Sequence, residues 1–214
     1  MNLTYRIAWL LSRLFHYTYF HGRHFHADRV PLTGGVILAA NHASVLDPPV
    51  IGGGFNRTVN YLARRTLMDI PVFGFILRQL SVVPVDRDGS GGAGLKAILN
   101  RLMEGGIILL FPEGTRTPDG KMQTARSGIG LTVIKSTAPV VPVRVNGTFA
   151  ALSRFMKFPM PRRVTVIYGE PMRFEKLRAE AKVCTKDRLK EIYQQVADEI
   201  MAAIASLDEP KRSR

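Results

Sequence analysis

Apolar positions along the chain fall into two rhythms. Short, nearly unbroken runs rich in Val and Ile recur at "GVILAAN", "TVNYLA", "SVVPV", "IILLFP", "PVVPVRV" and "VTVIYGEP". Runs of this length with β-branched residues predict strands buried on both faces. Between them lie stretches of helical length. Residues 94–104 set Leu95, Ile98, Leu99 and Leu102 on one face, residues 127–136 carry Ile129, Leu131, Val133 and Ile134, and residues 68–80 predict an apolar helix with Gly74 at a close contact. Residues 186–207 space Leu189, Ile192, Tyr193, Val196, Ile200, Ile204 and Leu207 by three and four, the pattern of a long amphipathic helix. Strands alternating with helices need crossover connections, so the expected class is α/β, with a largely parallel or mixed sheet flanked by helices.

The N-terminus breaks this pattern. Leu3, Ile7, Trp9, Leu10, Leu11, Leu14, Phe15 and Phe20 are interrupted by Arg6 and Arg13, a mixture suited to a lipid headgroup boundary. Trp and Tyr favour that depth and arginine favours anionic lipid. Residues 1–28 therefore read as an amphipathic, membrane-associating segment and residues 29–214 as a single globular domain; the other reading is a first helix packed on that domain. No stretch reaches the roughly 18 uncharged apolar residues of a spanning helix, and no run of small residues marks a cleavage site.

With 30 Lys and Arg against 17 Asp and Glu, the formal net charge is +13. Nucleic acid, an anionic membrane, phosphorylated substrates and acidic proteins all fit that charge. The single Cys184 excludes an intramolecular disulfide and a cysteine-built zinc site, which suits a reducing compartment. His21, His24 and His26 lie close enough in sequence to suggest a metal, yet beside Tyr19 and Arg23 they read as solvated or interfacial. "DGSGGAG", residues 88–94, lacks the Gly-Lys-Ser/Thr ending of a phosphate loop and reads as a turn before a helix.

The chemistry concentrates where apolar runs end. "VILAA" passes into Asn41, His42 and then Asp47-Pro48-Pro49. Asp before Pro predicts a helix starting near Pro48 with Asp47 as its cap, so residues 43–46 can curl and return the carboxylate to the His42 ring. That pair is a general base with its orienter; the alternative is a capped helix beside a surface histidine. Ser44 lacks the flanking glycines of a nucleophile elbow and reads as a helix-start hydrogen bonder. "ILLFPEGTR" ends a second strand in Glu113, Gly114, Thr115 and Arg116, either a phosphate-binding turn with a guanidinium fork or a Glu113–Arg116 salt-bridged turn. Arg64 and Arg87 each follow a strand and add two more cations.

Taken in order, Asn41-His42 with Asp47, then "GFILRQLSVVPVDR", "FPEGTR" and "VVPVRVNG" resemble the glycerolipid acyltransferase family over roughly residues 30–150, with a weaker echo at Glu170-Pro171. The resemblance implies an αβ-sandwich fold with His42 deprotonating an acceptor hydroxyl and Asp47 orienting it. Arg64, Arg87 and residues 113–116 would bind a glycerol phosphate. Asn41, Arg126 and Pro142 are secondary candidates, Arg126 standing where a Lys-rich stretch is common in the family. No metal or cofactor is implied; the co-substrate would be acyl-CoA or acyl carrier protein.

Expected partners are lysophosphatidate and phosphatidate in a membrane, with "FMKFPMPRR", residues 155–163, as a second basic contact for the bilayer or for acyl carrier protein. The expected place is the cytoplasmic face of the cell membrane, as a peripheral or monotopic protein. Acyl transfer from a thioester needs a base, a phosphate anchor and oxyanion donors, the last expected from N–H groups near the 112–115 turn. Other acceptors remain open, such as a lyso-ornithine lipid or glycerol 3-phosphate, as do a basic nucleic-acid-binding module and an inactive membrane-binding relative.

Overall fold

The computed structural model describes residues 2–85 and 92–210. Among these residues seven strands form one sheet: β1 (Arg23–Phe25), β2 (Val36–Ala40), β3 (Val59–Arg64), β4 (Val82–Val85), β5 (Ile107–Leu110), β6 (Val140–Asn146) and β7 (Thr165–Tyr168). Their spatial order is β1-β7-β6-β2-β5-β3-β4, with every neighbouring pair parallel except β6 and β7. The helices are α1 (Leu3–Thr18), α2 (Asp47–Gly52), α3 (Arg65–Met68), α4 (Pro71–Gln79), α5 (Gly92–Met103), α6 (Gly128–Lys135), α7 (Thr148–Leu152), α8 (Glu175–Glu180) and α9 (Lys186–Ala205). The expected α/β class is the one observed. No helix among the described residues is long and apolar enough to cross a membrane.

β2 shows why its apolar run is unbroken. All five residues are buried, and they divide between two cores. Val36, Leu38 and Ala40 join Ile51, Val143, Val166 and Tyr168 on one face of the sheet. Ile37 and Ala39 join Ile98, Val133, Ile192, Val196, Ile200 and Ile204 on the other. A strand covered on both sides has no solvent face, so the alternation of a half-exposed strand is absent. Residues 186–205 meet the helix expectation, and the Thr185 hydroxyl caps the start of α9 by accepting from the Arg188 N–H at 3.3 Å.

Two local expectations differ from the structure. Residues 68–80 are not one helix: α3 stops at Met68 and α4 begins at Pro71. Pro71 has no N–H to donate and disfavours a helical residue before it, so the apolar period continues while the backbone breaks. Within the N-terminal segment, β1 already joins the sheet and carries one of the three histidines read as solvated or interfacial. His24 lies in that strand and contacts Val50 O through Nε2 at 2.8 Å and the Tyr17 hydroxyl through Nδ1 at 3.1 Å, so it is packed rather than solvated. Among the described residues no cluster of His, Cys, Asp and Glu could hold a metal. Cys184 is a free, half-buried thiol.

α1 is docked by polar anchors. Trp9 Nε1 donates to Gly52 O at 3.1 Å, Arg13 to Gly53 O at 3.1 Å and Ser12 Oγ to Pro49 O at 3.1 Å, while the Tyr5 hydroxyl accepts from Val59 N at 2.9 Å. Tyr5 and His16 are buried beneath it. Leu3, Ile7, Leu10, Leu11 and Leu14 all point outward and are 51–74% exposed.

Candidate active site

Parallel strands carry their chain direction together, so β2, β5 and β3, adjacent in the sheet, present their carboxyl ends side by side. His42 lies just beyond β2, and Phe111 to Arg116 follow β5. Here the two polar clusters singled out in the sequence meet.

His42 Nδ1 lies 2.8 Å from Asp47 Oδ2. The same oxygen accepts from Ala43 N at 2.6 Å and Ser44 N at 2.8 Å. Asp47 is completely buried, and among the described residues its other oxygen has no partner. A buried carboxylate acceptor favours the proton on Nδ1, which leaves the Nε2 lone pair able to take up another. The curl of residues 43–46 follows the expectation, with one change in its origin: Asp47 is the first residue of α2, after Leu46, rather than its cap. Its side chain turns back to residues 42–44 and takes over the loop's N–H groups instead of those of the helix. Ser44 Oγ accepts from Leu46 N at 3.2 Å and donates to Leu152 O at 2.5 Å, which anchors the loop to the end of α7.

Glu113 is buried, and its two oxygens accept from His42 N at 2.8 Å and Gln123 N at 2.9 Å. Burial pushes its carboxyl up, against the opposing pull of these two donors. The expected alternative of a Glu113–Arg116 pair is therefore not what Glu113 does. Thr117 N donates to His42 O at 2.8 Å, so the segment after β5 holds residue 42 by both its N–H and its carbonyl. Gly114 adopts φ +70°, and a side chain there would press on Arg126; its N–H donates to Phe111 O at 3.0 Å. The Phe111 ring stacks on His42 with centroids 3.8 Å apart and planes 12° apart.

These groups border a cavity of about 760 Å³ lined by His42, Phe111, Gly114, Thr115, Arg116 and Arg126, with Pro48, Tyr61 and Thr132 also on its wall. A second cavity of about 310 Å³, almost wholly apolar, lies between α1, α2, α4 and β3 and shares Pro48, Tyr61, Leu62 and Ala63 with the first.

The structure thus brings together His42, Asp47, Glu113, Gly114, Thr115, Arg116 and Arg126. Asn41 faces away, exchanging two hydrogen bonds with the backbone of Val145, at 2.9 and 2.8 Å, and so ties the end of β2 to β6. Pro142 lies within β6 opposite Ala39, where its carbonyl accepts from Gly169 N at 2.8 Å. Arg64 ends β3, but its side chain, like Arg87, lies outside the described residues. Phe111 and Gln123 were not singled out from sequence. Phe111 reads there as one more strand residue, and Gln123 contributes only its backbone, which no side-chain pattern reveals.

The chain is 28% identical over 149 residues to the 1-acyl-sn-glycerol-3-phosphate acyltransferase of Bacillus subtilis, the match covering 69% of this chain and 72% of that one. It is 30% identical over 154 residues to the enzyme of the same name from Pseudomonas aeruginosa, covering 69% of this chain and 58% of the other. The crystal structure of the 1-acyl-sn-glycerophosphate (LPA) acyltransferase PlsC from Thermotoga maritima superposes with a TM-score of 0.69 at 22% identity over 96% of this chain and 83% of that chain, a likeness of fold. The model of the Acyltransferase family matches residues 22–146, more than half of the sequence and the part that builds the His42 cavity, and the chain belongs to that family.

Proposed function

We propose that the protein moves a fatty acyl group from an acyl thioester to the sn-2 hydroxyl of 1-acyl-sn-glycerol 3-phosphate, giving phosphatidate for phospholipid synthesis. The observation that carries this reading is the His42–Asp47 pair, 2.8 Å apart, opening on a cavity whose rim is the cationic turn with Arg116 and Arg126. His42 Nε2 takes the proton of the acceptor hydroxyl as its oxygen attacks the thioester carbonyl. The tetrahedral intermediate collapses with cleavage of the C–S bond, and the leaving thiolate takes the proton back from the imidazolium. A base of this kind contributes roughly 10²- to 10⁴-fold. Asp47 stabilises the imidazolium between these two transfers.

Arg116 and Arg126, with Arg64 and Arg87 expected from their places after neighbouring strands, supply the charge that a phosphate monoester needs. The Gly114 N–H is engaged by Phe111 O, so the oxyanion falls to Thr115 N–H and Arg116. Glu113 is a positioning residue in this reading: with both oxygens committed to backbone donors, it sets His42 against the cationic turn. The apolar cavity that shares a wall with the catalytic one suits an acyl chain. A lipid acceptor places the protein at a membrane, peripherally on the cytoplasmic side where acyl-CoA or acyl carrier protein can reach it. The outward leucines of α1 fit that boundary better than water.

The test is acyl transfer by purified protein from acyl-CoA or acyl carrier protein to lysophosphatidate, glycerol 3-phosphate and a phosphate-free lysolipid. Phosphatidate formation that His42→Ala abolishes is expected; transfer confined to the phosphate-free acceptor would overturn the roles of Arg116 and Arg126. In the same assay Arg116→Ala raises KM for the phosphorylated acceptor. Glu113→Gln, which sets an NH₂ group against a buried N–H, instead lowers kcat by on the order of tenfold with KM little changed.

A further inference from the structure

Residues 153–163, between α7 and β7, expose what a soluble loop usually hides. Phe155 is 71% exposed, Phe158 78% and Met160 47%. Every charge in this stretch is positive: Arg154, Lys157, Arg162 and Arg163. Arg163 is paired with Glu209 at 2.5 Å, and the Arg154 guanidinium lies over the Phe155 ring, 4.9 Å from its centroid.

The loop is fixed at both ends to elements already described. Tyr19 donates to Pro159 O at 2.9 Å and stacks on the half-exposed Phe15 at the flank of α1, with centroids 4.7 Å apart. At the other end Leu152 O accepts from Ser44 in the catalytic loop. Internal bonds from Met156 N to Ser153 O at 3.1 Å and from Met160 N to Ala151 O at 2.7 Å hold it in shape.

We propose that residues 153–163 form a second lipid-docking element, continuous through Tyr19 with the outward face of α1, and that its partner is an anionic bilayer surface. The inference rests on the membrane reading above and adds to it a named contact beside the catalytic loop. Exposed aromatic side chains interleaved with cations match the two layers of such a surface, with Phe155 and Phe158 entering the acyl boundary while Arg154, Lys157 and Arg162 stay with the phosphates. An acidic carrier protein would complement the cations and leave the two phenylalanines without a use. Because Ser44 ties this loop to His42, docking it sets the mouth of the catalytic cavity at the depth where a lysolipid presents its glycerol.

The experiment is vesicle binding by the full-length chain, using phosphatidylcholine vesicles with and without phosphatidylglycerol, in parallel with acyl transfer to a detergent-dispersed acceptor. Phe155→Ser with Phe158→Ser should weaken binding to phosphatidylglycerol vesicles about tenfold or more. Arg154→Gln with Lys157→Gln should remove much of the preference for phosphatidylglycerol over phosphatidylcholine. Both double variants should keep the wild-type melting temperature and detergent activity. Phe158→Trp should add an indole emission, beyond that of Trp9, that shifts to the blue when vesicles are present. Wild-type vesicle affinity in the phenylalanine variant, an added emission in Phe158→Trp that vesicles leave unshifted, or variants that lose binding to acyl carrier protein while keeping vesicle binding would each overturn the proposal. Loop-dependent vesicle binding by a wild type that transfers no acyl group would uphold it and defeat the catalytic reading alone.

Discussion

α9 packs on the sheet itself while α1 docks on α2 beyond the other face, and the two helices are built in opposite ways. α9 buries Ile192, Val196, Ala197, Ile200 and Ile204 and turns its charged residues to solvent, where Arg188 pairs with Glu180 at 2.7 Å and with Glu191 at 3.1 Å. α1 sends hydrogen-bonding groups inward and leucines outward. A helix that must only complete a core places its apolar residues on the inside. One that places them on the outside leaves an apolar surface that the sheet does not cover. Polar anchors let α1 stay attached without using that surface.

This contrast can be broken at several points, and the largest effect is expected on the α9 side. Ile200→Ala removes a fully buried side chain and should cost about 2–5 kcal/mol in urea unfolding. Acyl transfer below the transition should survive; a loss under about 1 kcal/mol, short of the range for a buried Ile, would mean that α9 is not the structural helix described.

The next effect concerns the inside of α1. His16 is buried, the backbone of Arg23 offering its ring only a weak contact among the described residues, and its ring centroid lies 4.6 Å from that of His24. Burial first, and then the neighbouring His24 and Arg13, lower its pKa from 6.5 to about 4. Burial likewise lowers that of His24. Since the unfolded chain takes up the proton at a higher pH than the folded one, this contribution is fully present above pH 6.5 and is lost as pH falls toward 4. It amounts to on the order of 3 kcal/mol across that window. Unfolding measured at about pH 7 and about pH 4.5, either side of most of that window, should therefore show a steeper acid loss in the wild type than in His16→Leu. Parallel losses in the two proteins would exclude His16 as the cause.

The smallest effect on stability, and the sharpest on the comparison, belongs to the outside of α1. Leu10→Gln and Leu11→Gln keep helix propensity and should each change stability by no more than about 0.5 kcal/mol. Vesicle binding should nonetheless weaken. Destabilisation matching that of Ile200→Ala would show these leucines to be core residues after all.

The sequence spoke clearly where one interaction dominated. Runs of Val, Ile and Leu announced β2, β5, β6 and β7 because burial on both faces leaves no room for polar residues, and the three- and four-residue steps of residues 186–207 announced α9. It spoke less clearly where tertiary contact decides. β1 has three residues, Arg23–Phe25, and no apolar run, and it exists because β7 offers a parallel edge. The inward anchors of α1 are individually ordinary residues, so the leucines that drew attention to the helix gave no hint of what holds it. In the site, His42, Asp47 and the 113–116 turn were legible as chemistry. The strap from Glu113 to His42 N and Gln123 N was not, since both of its partners are backbone atoms.

That strap also bears on which changes of chain length the protein can absorb. Residue 42 is held by Glu113 at its N–H and by Thr117 at its carbonyl, so the spacing between positions 113 and 117 is a ruler with both ends clamped. Adding or deleting one residue there would keep the two clamps from closing on residue 42 together, whereas a change within residues 153–163 leaves them untouched. Across related sequences, insertions should gather in the second place and be missing from the first.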